Sequence, residues 1–360
     1  MDTAGGQRPI LIEALRSAQF TLFDSMRRAQ ANALDALGLG PQESGFRVIA
    51  SGRHWRLRDY GGREGAPPLL IVAAPIKRAY IWDLSPSVSA IRYCLNAGLR
   101  VYLTEWRPPL DGDGHAGLDD YAGKAISACA AAVSSEAHGA KPFLIGHSLG
   151  GTLAAIFAAL EPQSVQGLLL LSAPLCFSPG SSQFRDSLVS ILPAAFSSNG
   201  PVAGSLLSHA SAIASPGTFL WSRLLDAALS AADPAALDIH GRVERWALDE
   251  VALPGELVSQ IVQWLFREDR LCRGVLPVGD KVVGPASLRA PALAVVNTAD
   301  EITPAAAVAP FFKSAAARDT RLIEFPGEVG VALQHLAVLV GRQAFARLWP
   351  EIISWILCRS

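Results

Sequence analysis

The chain has 360 residues, half of them hydrophobic and 18% charged, with a formal net charge of −1 at pH 7. Such a length holds one large α/β domain or a domain with a sizeable insertion, and the apolar content is ample for a core. The near-neutral balance excludes the basic footprint of a nucleic-acid binder and gives no reason to expect an anionic membrane as partner.

Up to about Leu37 the chain is predicted to be helical. Leu11, Leu15, Ala18, Leu22, Met26, Ala29, Ala33 and Leu37 step by four and three into one apolar stripe, which Gly38 and Gly40 end. A helix packed on the body of its own chain is the expected role, with a homodimer contact as the alternative. Phe46–Ala50 and His54–Tyr60 alternate as a hairpin with one wet face would. Continuous apolar strands follow at Leu69–Ala74, Leu99–Thr104, Phe143–Gly146, Gly167–Ser172, Leu293–Asn297 and Arg321–Phe325, separated by helical stretches. Strands without alternation, each followed by a helix, imply a mostly parallel sheet covered on both faces.

From Leu175 to Leu288 no comparable strand is expected, only a Ser/Gly/Pro-rich opening and helical stretches such as Phe219–Ala232 and Leu257–Arg267. This interval reads as a cap inserted between two strands. The expected organisation is an N-terminal helix (1–40), a first core segment (41–174), the cap (175–288) and a second core segment (289–360). The start, Met1-Asp2-Thr3-Ala4-Gly5-Gly6, lacks a basic then apolar run, so no secretory signal is expected. Gly167–Leu171 falls far short of the ~20 residues of a membrane helix. Cys94, Cys129, Cys176, Cys272 and Cys358 are scattered, odd in number and without metal-ligand spacing. They suit reduced thiols in a cytoplasmic protein, and no cofactor or metal is implied.

Between the third apolar strand and the helical stretch Thr152–Leu160 stands Gly146-His147-Ser148-Leu149-Gly150. This pattern suits a strand-to-helix elbow that lifts a serine hydroxyl above the sheet edge. A serine needs a base within reach and a group to orient that base. With the order serine, acid, histidine, Asp300 ends the strand Leu293–Asn297 at the functional edge of an α/β sheet, with Glu301 as its rival. His335 alone among seven histidines follows Asp300. His147 is expected to shape the pocket, while His54, His115, His138, His209 and His240 suit solvated or cap roles. The oxyanion donors are expected to be the N–H of Leu149 and, because Pro75 has none, that of Ile76, with Ala74 as alternative.

Several runs resemble the polyhydroxyalkanoate synthase family. They are Leu70 to Leu84 (LIVAAPIKRAYIWDL), Gly98 to Pro108 (GLRVYLTEWRP), Leu118-Asp119-Asp120-Tyr121, the elbow, Asp300-Glu301-Ile302-Thr303-Pro304, and Gly341-Arg342-Gln343-Ala344 before Leu348-Trp349-Pro350. The similarity runs from about Arg47 to the end, including Arg245-Trp246 and Asp249 in the cap. It implies an α/β-hydrolase fold with an inserted helical cap and the catalytic set Ser148, Asp300 and His335. It also implies an acyl ester or acyl-coenzyme A substrate. Members polymerise 3-hydroxyacyl-coenzyme A, and their relatives depolymerise the product.

The chain departs from the family at three places. Ser148 stands for the nucleophilic cysteine, Gln334 for the glycine before the histidine, and Ala73-Ala74-Pro75 for a proline-rich turn. A serine acyl-enzyme is an oxyester, without the thioester energy that drives chain extension. The expected activity is therefore hydrolysis of esters or thioesters of hydroxyacyl or fatty acyl groups. The alternatives are an acyltransferase and a non-catalytic relative that binds granules or a synthase subunit.

Overall fold

A computed structural model describes residues 7–110, 112–193 and 200–360, with side chains from Leu22 onward. The strands are β1 (Arg47–Ser51), β2 (Trp55–Asp59), β3 (Pro68–Val72), β4 (Asp83–Ser85), β5 (Val88–Ser89) and β6 (Arg100–Trp106). They continue as β7 (Phe143–His147), β8 (Gly167–Leu171), β9 (Leu276–Val278), β10 (Lys281–Val283), β11 (Ala292–Asn297) and β12 (Thr320–Phe325). Eight of them form one sheet in the order β1-β2-β6-β3-β7-β8-β11-β12. The expected hairpin is β1–β2, and β2 runs antiparallel to β6. From β6 across to β12 every pairing is parallel.

All six predicted apolar runs are strands of this sheet. Those in its middle, β3, β7, β8 and β11, are buried along their whole length, as strands covered on both faces must be. β12 is the exception. It pairs only with β11 and exposes most of its residues.

The helices before the elbow are α1 (Gln7–Ala36), α2 (Ala90–Asn96) and α3 (Ile126–Glu136), and α4 (Leu149–Leu160) leaves the elbow itself. α4 lies almost wholly buried, its Leu153, Ile156 and Phe157 packed into the core. α10 (Ala309–Lys313) connects β11 to β12, and α11 (Ala337–Val340) and α12 (Trp349–Leu357) follow the last strand.

β8 and β11 are hydrogen-bonded neighbours although some 120 residues separate them in sequence, so that interval is an insertion between adjacent strands. It carries α5 (Gln183–Ile191), α6 (Gly204–Ala214), α7 (Ser222–Ser230), α8 (Pro234–Ala247) and α9 (Gly255–Gln260). The predicted helical stretches are there, each beginning or ending in a π-helical turn. A ribbon of β9 and β10 was not expected, because three residues per strand are too few to show a period.

Two expectations need correction. Cys176 and Cys272 are joined in a disulfide, while Cys94, Cys129 and Cys358 are free. The pair was invisible in the sequence because 96 residues separate the two cysteines and only the fold brings their Cα atoms to 4.9 Å. The N-terminal helix does pack on its own chain, but the described part of the apolar stripe does not face that chain. Leu22, Met26 and Leu37 are exposed, and Ala31 and Arg27 face inward. Ion pairs set this orientation: Arg27 binds Glu250, and Asp35 binds Arg245 of α8 at 2.7 Å. Leu11, Leu15 and Ala18 lie outside the residues whose side chains are described.

Candidate active site

The sharp turn between β7 and α4 is the predicted elbow. Ser148 sits at φ +53° and ψ −134°, a backbone region that costs a non-glycine residue on the order of 1–3 kcal/mol. Its neighbours explain why the strain is tolerated. A Cβ on Gly146 would lie 2.5 Å from the Gly151 nitrogen, and one on Gly150 only 2.3 Å from the Val72 carbonyl oxygen. Glycine alone lets α4 leave β7 so steeply against β3. The Ser148 N–H donates to the Leu171 carbonyl at 3.1 Å, tying the elbow to β8.

His335 lies on a single turn, Gln334–Leu336, just before α11. Its Nδ1–H donates to Asp300 Oδ2 at 2.7 Å, and both side chains are buried. Asp300 Oδ1 accepts the Ile302 N–H at 2.8 Å. Burial alone would raise the Asp300 carboxyl. The His335 imidazole beside it and the N–H donors of Ile302 and Thr303 outweigh that and hold it below the usual carboxylate range. With Nδ1 committed, the free lone pair belongs to Nε2, a buried atom with no hydrogen-bond partner among the described residues.

Ser148 and His335 line one cavity of about 370 Å³, although no hydrogen bond joins the hydroxyl to Nε2 in this state. Such links commonly tighten only when substrate is bound. The rival acid Glu301 is turned away, accepting a hydrogen bond from Thr218 of the insertion.

Leu149 and Ile76 line the same cavity. The Leu149 N–H opens α4, where no preceding turn supplies an acceptor. The loop of Ile76 is held by its carbonyl, which accepts the Val251 N–H at 2.8 Å. The cavity wall is largely apolar, with Phe177, Phe184, Leu192, Phe219 and Phe266 contributed by the insertion. Arg27, Lys77 and Arg223 bring positive charge to it. Burial, followed by the nearby Arg27 and Arg223 charges, brings Lys77 down to about 8 against the pull of Glu250.

His147 is neither exposed nor a second base. Its Nε2–H donates to the His335 carbonyl at 2.8 Å, and burial together with the neighbouring His335 pushes its pKa down to about 3. Asn297 supports the same turn, donating from Nδ2 to the Gln334 carbonyl at 2.7 Å. Neither support was legible as a role in the sequence. The only cue for Asn297 was its place at the end of β11.

Comparison with known proteins now bears on this geometry. A family model described as alpha/beta hydrolase fold matches residues 80–197. The poly(3-hydroxyalkanoate) polymerase subunit PhaC of Haloferax mediterranei is 29% identical over 92% of this chain and 67% of its own. That of Haloarcula marismortui is 29% identical over 81% of this chain, which spans 61% of that relative. The PhaC subunit of Allochromatium vinosum is 26% identical over 91% of this chain and 90% of its own. This chain has an α/β-hydrolase fold and is similar to polyhydroxyalkanoate synthases. Among solved structures, a monoacylglycerol lipase of Paleococcus ferrophilus shares the fold at a TM-score of 0.54, with 21% identity over 85% of this chain and 99% of that one. The fold and the relatives are those of an enzyme. Among the described residues, no helix is long and apolar enough to cross a membrane.

Proposed function

We propose that this synthase-like protein is a serine hydrolase acting on esters or thioesters of hydroxyacyl or fatty acyl groups. The observation that carries this reading is the buried His335–Asp300 pair, with Nε2 left unpartnered on a histidine that lines the same cavity as the elbow serine. Ser148 Oγ attacks the acyl carbonyl and its proton passes to His335 Nε2. Asp300 stabilises the imidazolium formed. The negative charge on the tetrahedral oxygen is met by the N–H groups of Leu149 and Ile76. The intermediate collapses, the C–O or C–S bond to the leaving group breaks, and His335 returns the proton to that group. Water then repeats the sequence in reverse order and frees the acid and Ser148.

The apolar wall suits an acyl chain, and the cations Arg27, Lys77 and Arg223 suit an anionic leaving group such as coenzyme A. A cytoplasmic location belongs to the same proposal and rests on the acyl-coenzyme A substrate alone, since the Cys176–Cys272 disulfide removes the argument from reduced thiols. The polymerase relatives favour a second reading, transfer of the acyl group to an alcohol.

A fluorophosphonate probe tests the nucleophile, and a panel of esters and acyl-coenzyme A thioesters read by mass spectrometry tests the substrate. Labelling confined to Ser148 with release of free acid is expected. No labelling of folded protein sinks the hydrolase and acyltransferase readings together, whereas products transferred to added alcohols in preference to water select the second.

A further inference from the structure

Away from the reacting atoms, the insertion contains a second buried aspartate–histidine pair. Asp226 on α7 accepts from His240 Nδ1 on α8 at 2.8 Å. Unlike a simple ion pair, its carboxylate also takes two backbone donors from the loop that leads to His335. Gly330 N–H reaches Oδ1 at 2.8 Å and Ala332 N–H reaches Oδ2 at 2.8 Å. Both Asp226 and His240 are buried.

That loop needs holding. Ala332 sits at φ +59° without being glycine, and Gly330 at φ +88°. A left-handed alanine persists only where its surroundings over-determine it. The half of the loop nearest the histidine has its own braces, from Asn297 to the Gln334 carbonyl and from Gln334 Nε2 to the Glu328 carbonyl at 2.7 Å. The Gly330–Ala332 half is held by Asp226. Ala332 and Leu333 also line the cavity.

We infer that Asp226 is a positioning residue that fixes the His335 loop from the inserted segment, so that seating of the insertion and placement of the base are one event. The inference rests on the serine-hydrolase reading of Ser148 and His335. A route from the cavity to this clamp exists. Arg223, a cavity residue, donates from Nε to Glu244 at 2.7 Å, and Glu244 lies 3.8 Å from His240 Nε2. Burial would raise the Asp226 carboxyl, yet the His240 bond and the two backbone donors hold it below its usual range, so it accepts from all three as a carboxylate.

The test compares wild type, Asp226→Asn and His240→Gln by fluorophosphonate labelling of Ser148 and by hydrogen exchange of the 326–336 segment. Loss of a charged acceptor for two amides should speed exchange at Gly330 and Ala332 by about 10-fold or more. Labelling should lose about 10- to 100-fold in its maximal rate with half-saturation unchanged, since the base is displaced and the pocket is not. A merely structural role would lower the folded fraction without that split. If Asp226→Asn does not fold, His240→Gln, which keeps both acceptors but frees the carboxylate to move, should show the same pattern at smaller size. A folded variant with unchanged maximal labelling rate or unchanged exchange overturns the inference. A folded wild type not labelled at Ser148 overturns the hydrolase reading instead.

Discussion

His147 donates its Nε2–H to the main-chain oxygen of His335 across a ring separation of 4.6 Å. The residue before Ser148, the proposed nucleophile, therefore holds the backbone of His335, its proposed base. Elbow and histidine turn are joined without using the Ser148 or His335 side chain. His147 is held neutral there, because it is buried and a positive charge on it would face the His335 ring.

This enclosure sets a pH dependence of stability. An unfolded histidine takes a proton near pH 6.5, whereas folded His147 resists until about 3. Between those values the unfolded chain binds the extra proton, so stability contributed by neutral His147 is present above about 6.5 and is lost as pH falls toward 3. Thermal melts of the wild type should therefore decline across that window. His147→Gln, which keeps a donor but does not titrate, should decline less steeply over it. Parallel curves would show that His147 is not the group responsible.

Ser148→Ala should abolish turnover while the protein stays folded. Only a hydroxyl is removed, and the elbow is shaped by Gly146 and Gly150, whose substituents would meet backbone atoms. Loss of a triad member costs on the order of 10⁴–10⁶ in rate. A soluble, folded Ser148→Ala protein with wild-type rates would remove Ser148 from the chemistry.

His335→Ala should be nearly as damaging as Ser148→Ala, Asp300→Asn somewhat less so, and Glu301→Gln mild. The basis is geometric: Asp300 Oδ2 meets His335 Nδ1 at 2.7 Å, while Glu301 bonds Thr218 of the insertion. Rates measured on purified variants of matched melting temperature decide the order. A larger loss for Glu301→Gln than for Asp300→Asn would mean that the acid has been placed one residue early.

The sheet and the elbow could be read from the sequence because each rests on a local rule. Leu168 to Leu171 or Val295 to Asn297 announce a strand buried on both faces, while chain order points to His335 as the proposed base and leaves Asp300 and Glu301 as rival acids, which only the folded contacts of the two carboxylates distinguish. What could not be read depends on partners distant in sequence. The helical spacing of Leu22 and Met26 matches α1, but not the side that packs among the described residues, where Arg27 and Asp35 reach Glu250 and Arg245. The disulfide of Cys176 with Cys272, and the clamp of Asp226 on Gly330 and Ala332, join residues about 100 apart, with no periodic signal at either end.

The last prediction concerns product. Given 3-hydroxybutyryl-coenzyme A or an activated ester, the wild type should release free acid and build little or no polymer. The acyl group on Ser148 is an oxyester, close in energy to the polyester bond that chain extension would form. Transfer to a growing chain therefore has no downhill step, while attack by water does. Ser148→Cys separates the nucleophile from the pocket. A thiolate paired with His335 would carry a thioester, restoring the drive for transfer if the Phe177–Phe266 side of the cavity keeps water away. Product sizes by chromatography and mass spectrometry, for both proteins under one set of conditions, give the answer. Polymer from the wild type at rates comparable to its hydrolysis would overturn the hydrolase reading in favour of acyl transfer. Free acid from both variants would place the limit in the pocket and not in the nucleophile.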